Sequence, residues 1–142
     1  MKPVLFLRAA SVLSFLIAVG HTVGGVFGSV APGVQAAAVL AMKTNQFQVM
    51  GVTRSYWDFY LGEGLAATIT MLVGAVFFWQ LGSLASKDAA PLRPILATFL
   101  VGHLCLALLS WRYFIAPPVV GNLLIAVCLA LAILTSRRTA TA

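Results

Sequence analysis

Residues 4–30 read VLFLRAASVLSFLIAVGHTVGGVFGSV, an apolar run interrupted only by Arg8 near its start and His21 towards its end. About 20 mostly apolar residues carry a helix across a hydrocarbon core of about 30 Å. The run from Val4 to Val30 exceeds that length and reads as a membrane span. Three more segments meet the same requirement: about Trp57 to Leu84, about Pro94 to Ala116, and about Val119 to Thr135. The third and fourth are joined by a tight hairpin around Pro117 and Pro118, where the missing amide hydrogens fall at a helix start and cost little. The first connection, Ala31 to Tyr56, is the long one. Within it VQAAAVLAMK (Val34 to Lys43) follows Pro32 and Gly33 and predicts a short interfacial helix.

Composition agrees with this reading. Of 142 residues, 61% are hydrophobic and 8% charged, and the mean hydropathy is +1.02. Soluble domains carry about 25% charged residues, so too little polar surface is present to face water. Disorder is excluded on the same ground, because disordered chains are poor in apolar residues. The expected fold is all-α: residues 1–142 as a single domain, an antiparallel bundle of four transmembrane helices. A secretory signal cleaved near Ala31 to Ala38 is the rival reading of the N-terminus. It fits less well, since the apolar stretch outruns the usual h-region of about 7 to 15 residues and Arg8 interrupts it.

Lys and Arg are retained on the cytoplasmic side of a membrane. With four spans, Lys2, Arg8, Lys87, Arg93, Arg137 and Arg138 share one side, and Lys43, Arg54 and Arg112 the other. Both termini are therefore expected to be cytoplasmic, in a bacterial inner membrane. The net charge of +6 follows from topology and anionic lipid, and no basic face on a soluble element points to nucleic acid. Tyr56, Trp57, Tyr60, Trp111 and Tyr113 fall at the outer interface, as an aromatic belt should.

Gly20, Gly24 and Gly28 recur every four residues in the first span, a stripe that permits close helix packing. His21 lies beside it with Ser11, Ser14 and Ala18. In the second span one stripe holds Tyr56, Tyr60, Glu63, Ala67, Thr70 and Gly74, and the next holds Arg54, Asp58 and Gly62; both are expected to face inward, with Leu61, Leu65, Leu72 and Phe77 facing lipid. Arg54 and Asp58 are spaced for an i,i+4 ion pair. Glu63 lies six residues past Trp57, about 9 Å inside the boundary by helical rise. A carboxylate at that depth requires a partner or a proton, and Tyr60, His21, Ser14 and Arg112 are the candidates.

No cofactor is expected. Haem held axially by His21 and His103 is the exception to weigh, since bundles support such ligation. Their depths differ by about 6 Å by helical rise, and no CxxCH or HExxH pattern is present. Cys105 and Cys128 read as small buried apolar residues. No phosphate-binding loop, nucleophile elbow or catalytic triad occurs.

His21-Thr22, the run MGVTRSYWDFYLGEG from Met50 to Gly64, and Trp111-Arg112-Tyr113-Phe114 together resemble an uncharacterised family of short bacterial integral membrane proteins. That resemblance implies four spans over the whole chain and assigns no activity. Three functions stay open. The first is a small-molecule carrier or binding protein for an amphipathic or cationic ligand, with an outer-half site drawn from His21, Arg54, Tyr56, Trp57, Asp58, Tyr60, Glu63, His103 and Arg112. The second is a homo-oligomer or accessory subunit of a larger membrane complex, packed through the glycine stripe. The third is an enzyme using Glu63 or His21 for proton transfer on a lipid-like substrate.

Overall fold

The structure is a computed structural model that describes residues 2–136; Arg137 and Arg138, two of the basic residues placed on the cytoplasmic side, lie outside the described residues. The chain forms α1 (Pro3–Gly20), which continues as a π turn (His21–Val26), then α2 (Val34–Thr44), strands β1 (Gln46–Val49) and β2 (Val52–Ser55), α3 (Tyr56–Ala85), a 3-10 turn (Ala90–Leu92), α4 (Arg93–Tyr113) and α5 (Ala116–Thr135). Four helical segments are long and apolar enough to cross a membrane: Pro3–Val26, Tyr56–Ala85, Ala90–Tyr113 and Ala116–Thr135. Four long apolar helices are compatible with a helical bundle.

The structure departs from expectation in three places. The first segment stops at Val26 rather than Val30: the Phe27 amide donates to the Thr22 carbonyl at 2.9 Å, a five-residue π bond, and Gly24 and Gly25 give the last turn little intrinsic helicity. The third segment ends at Tyr113. Phe114 and Ile115 make the turn, and Ala116, Pro117 and Pro118 form the first turn of α5, where proline costs no hydrogen bond. The first connection holds not only the expected helix α2 but also an antiparallel hairpin, pairing Gln46 with Ser55, Phe47 with Arg54, Gln48 with Thr53 and Val49 with Val52. Its turn is Met50-Gly51, with φ of 48° and 79°, both positive as a type I′ turn requires.

The described chain falls into two compact units, one comprising the residues up to Ile17 and from Met71 onward, the other Ala18–Thr70. The first contains the hydrophobic core. Leu7, Phe78, Leu96 and Leu129 are fully buried there, surrounded by Ala10, Leu81, Ala85, Ala89, Ile125 and Ala132. Small residues let the helices approach: a Cβ at Gly121 would sit 2.8 Å from Ile17 Cδ1. Polar groups are tied across the packed helices. Ser11 Oγ donates to the Ala75 carbonyl at 2.7 Å, and His103 Nδ1 pairs with Asn122 Oδ1 at 2.9 Å. Arg8 does more than mark topology. Its Nη2 donates to Ser83 Oγ at 2.9 Å, and its guanidinium lies 3.5 Å above the centre of the Trp79 ring. Its Nη1 is buried with no hydrogen-bond partner among the described residues.

The unit Ala18–Thr70 is built differently. Among its residues only Ala18, Val26 and Ser55 are buried. Within α3 every buried residue, from Ala75 to Ala85, lies in the second half of the helix. Polar bonds stand in for a core. Thr22 Oγ1 pairs with Thr68 Oγ1 at 2.9 Å and donates to the Ala18 carbonyl, while a Cβ at Gly64 would come 2.9 Å from Val26 Cγ2. Gly64 is therefore the glycine of close approach in this unit.

Candidate functional site

The densest chemistry begins where β2 runs directly into α3. Ser55 occupies the N-cap position: its Oγ accepts the Asp58 amide at 3.2 Å. The Asp58 carboxylate accepts in return the Ser55 amide at 2.7 Å and the Ser55 hydroxyl at 2.9 Å. This reciprocal pairing is a capping box with Asp in place of Glu. The expected Arg54–Asp58 ion pair does not form. Paired with Phe47 in the hairpin, Arg54 turns its Nη1 to the Thr53 carbonyl at 2.9 Å. The backbone of strand, rather than helix, at residue 54 removes the i,i+4 geometry on which the expectation rested.

The aromatic residues pack on each other. Phe47 meets Tyr56 at 4.9 Å and Phe59 at 5.6 Å between ring centres, and Trp57 stacks on Tyr60 at 5.3 Å. Lys43 Nζ lies 4.7 Å from the Trp57 ring centre. The chain's own ammonium thus takes an indole face that a cationic ligand would need.

Arg54, Asp58, Phe59, Gly62 and Glu63 line a depression of about 200 Å³ that is open to the surface. Glu63 is exposed, and within Ala18–Thr70 no side chain bonds to it. Neither His21 nor Tyr60 turns towards it, contrary to expectation. His21 Nε2 instead reaches the Gly64 carbonyl at 3.1 Å, which also accepts Thr68 Oγ1. Residues 63 and 64 lie about 100° apart around α3, so a side chain that meets the Gly64 carbonyl does not meet the Glu63 carboxylate. Tyr56 and Thr70, expected inward, are likewise exposed, while Leu65, Leu72 and Phe77 are exposed as expected and Leu61 is half-buried.

The glycine stripe divides. Beyond their own helical backbone and chain neighbours, nothing packs within 4 Å of the Cβ positions of Gly20 and Gly24, whereas Gly28 lies past the helix end, where a Cβ would collide with the Gly24 carbonyl oxygen. The change of helical period at His21 breaks the four-residue spacing, so the three do not form one packing face.

In the other unit His103 faces Asn122 and lies beside the Phe78 ring, 5.8 Å between centres. Arg112 is exposed, with its guanidinium 5.1 Å from the Tyr113 ring centre. Cys105 is exposed, not buried as expected, and Cys128 is half-buried. No group of three or more His, Cys, Asp or Glu side chains able to hold a metal occurs among the described residues.

Sequence reasoning missed Ser55, Phe47, Lys43, Gly64 and Arg8. The Ser55-x-x-Asp58 spacing is a capping-box signature and would have located the first of these. No protein-family model matches the chain, and neither a curated protein nor a solved structure is similar to it. The family resemblance is therefore carried by the quoted residues alone.

Proposed function

We propose that this chain is an integral membrane subunit that assembles with another transmembrane helix through the first half of α3. The observation that carries the reading is Glu63, exposed on a helix stretch in which no residue before Ala75 is buried. Glu63 lies seven residues into α3, about 10 Å along its axis, past the Tyr56 and Trp57 rings that suit a membrane boundary. Apolar neighbours such as Leu65 and Ile69 are satisfied by acyl chains, but an unpaired carboxyl group at that depth is not. Its open neighbour Gly62, with nothing within 4 Å of its Cβ position, leaves room for a second backbone to come close and supply a donor.

The small-molecule reading ranks second. The open form of the Glu63 depression and the Lys43 ammonium on Trp57 both weigh against an enclosed site for a cationic ligand. In the proposed arrangement the chain crosses a bacterial cytoplasmic membrane four times, with both termini on the cytoplasmic side, on the distribution of Lys and Arg. Native mass spectrometry of the chain extracted in a mild detergent tests the assignment. A complex heavier than the 15.0 kDa chain by a further polypeptide is the expected result; a bare monomer, or a monomer carrying only a small ligand, overturns it.

A further inference from the structure

At the helix ends of the first unit, the start of α1, the residues after α3 and the end of α5 enclose a cleft of about 500 Å³, a volume in the range of small-ligand sites. Its walls include Val4, Ala89 and Leu134, and its polar groups include Lys2, Lys87 and Asp88. The Asp88 carboxylate is taken up by the backbone, accepting the Ala90 amide at 3.0 Å. No described residue accepts a hydrogen bond from either ammonium. Among the described residues that line the cleft, two lysines and one aspartate leave a charge of +1, which complements one phosphodiester. We infer that this cleft holds the headgroup of an anionic glycerophospholipid, its phosphodiester between Lys2 and Lys87 and the first part of its acyl chains along Val4, Ala89 and Leu134.

Position supports this occupant over a water-soluble phosphate. Helix ends of membrane-spanning segments lie at the headgroup level, and apolar walls beside cationic groups match the two halves of a lipid there. The attraction of juxtamembrane lysines for anionic lipid is worth about fivefold in binding for each residue, so about thirtyfold for two. The inference rests on the membrane-spanning part of the proposed function and not on assembly through α3.

The test is native mass spectrometry of the full chain from mild detergent, titrated with phosphatidylglycerol or phosphatidylcholine. Retained phosphatidylglycerol is expected to fall about fivefold in Lys2→Gln or Lys87→Gln and about thirtyfold in the double variant, with phosphatidylcholine unchanged. Arg93→Gln, which removes a charge that does not line the cleft, should lose less lipid than Lys87→Gln. Leu134→Trp fills the cleft with both lysines intact and should also lose the lipid; if that variant fails to fold, the lysine pair still decides. Equal losses for Arg93→Gln and Lys87→Gln would mean unspecific charge attraction and would overturn the site. So would displacement of the lipid by equimolar glycerol phosphate, which would identify a soluble phosphate as the occupant. Resistance of the chain to alkaline carbonate extraction from membranes reports embedding separately, so failure of the spanning assignment is distinguishable from failure of the cleft.

Discussion

Ser55, Asp58 and Arg8 show how single side chains hold this protein where its sequence is least apolar. Ser55 and Asp58 close the start of a 30-residue helix with three mutual hydrogen bonds. Ser55→Ala is expected to cost about 1 kcal/mol, read as a lower thermal unfolding midpoint in detergent. Ser55→Asn should recover most of it, and equal melting of the alanine variant and the parent would mean the cap contributes nothing. Arg8 is held by its plane, which stacks on Trp79 while one nitrogen reaches Ser83. Lysine keeps the charge but not the planar fork, so Arg8→Lys is expected to lower stability by about 1 kcal/mol. Unchanged unfolding in that variant would reduce Arg8 to a topology signal. Charge type and depth for Arg8 were legible in the sequence, because both follow from the distance to a span end. Its stacking was not, because Trp79 lies 71 positions further along the chain and no local pattern joins the two.

Helices and strands differ in how far their pattern foretold them. The second span was expected at Trp57 to Leu84, and a helix long and apolar enough to cross a membrane forms at Tyr56–Ala85, since apolar length marks such a helix with little help from packing. The hairpin was not foreseen: Met50-Gly51 lacks the Asn-Gly or Asp-Gly signature of a type I′ turn, although Val49, Val52 and Thr53 favour strands. Gly51→Val places a branched side chain at a φ of 79° and should disrupt the turn by about 1 to 3 kcal/mol. Loss of the Phe47–Tyr56 contact, followed by aromatic circular dichroism, would accompany it; an unaltered spectrum and melting curve would show the turn to be dispensable. The face of α3 expected to turn inward is exposed at Tyr56, Tyr60, Glu63 and Thr70, while Leu65, Leu72 and Phe77 are exposed as expected. A helical period says which residues share a face, not whether a neighbour exists to cover that face. The same limit applies to the glycines, where Gly64 against Val26 replaced the expected stripe. Gly64→Ala should destabilise by about 1 to 3 kcal/mol through overpacking, and Val26→Ala in the same chain should recover part of that loss; additive losses would show that the two positions do not touch.

At the scale of the whole molecule the proposed assembly rests on the contrast between the units. One has a core of apolar side chains in which, among the described residues, a single buried side-chain nitrogen, Arg8 Nη1, lacks a hydrogen-bond partner. The other has three buried residues, aromatic rings spent on one another, and a carboxyl group facing outward from a helix fit to cross a membrane. In the proposed membrane setting lipid would account for the apolar part of that exposure and would offer Glu63 no partner. Glu63→Gln preserves a hydrogen-bonding group and is expected to keep assembly within about threefold, whereas Glu63→Leu should weaken it about tenfold or more, measured as the fraction of complex surviving dilution in detergent. Equal behaviour of the two variants would remove Glu63 from the contact. The most direct measurement is photo-crosslinking in intact membranes from a reactive side chain at Ala66, one turn beyond Glu63 on the same face, with Val76 as an exposed reference. A polypeptide adduct from position 66 and lipid adducts alone from position 76 are the predicted result. Lipid adducts alone from both positions would contradict assembly through the first half of α3.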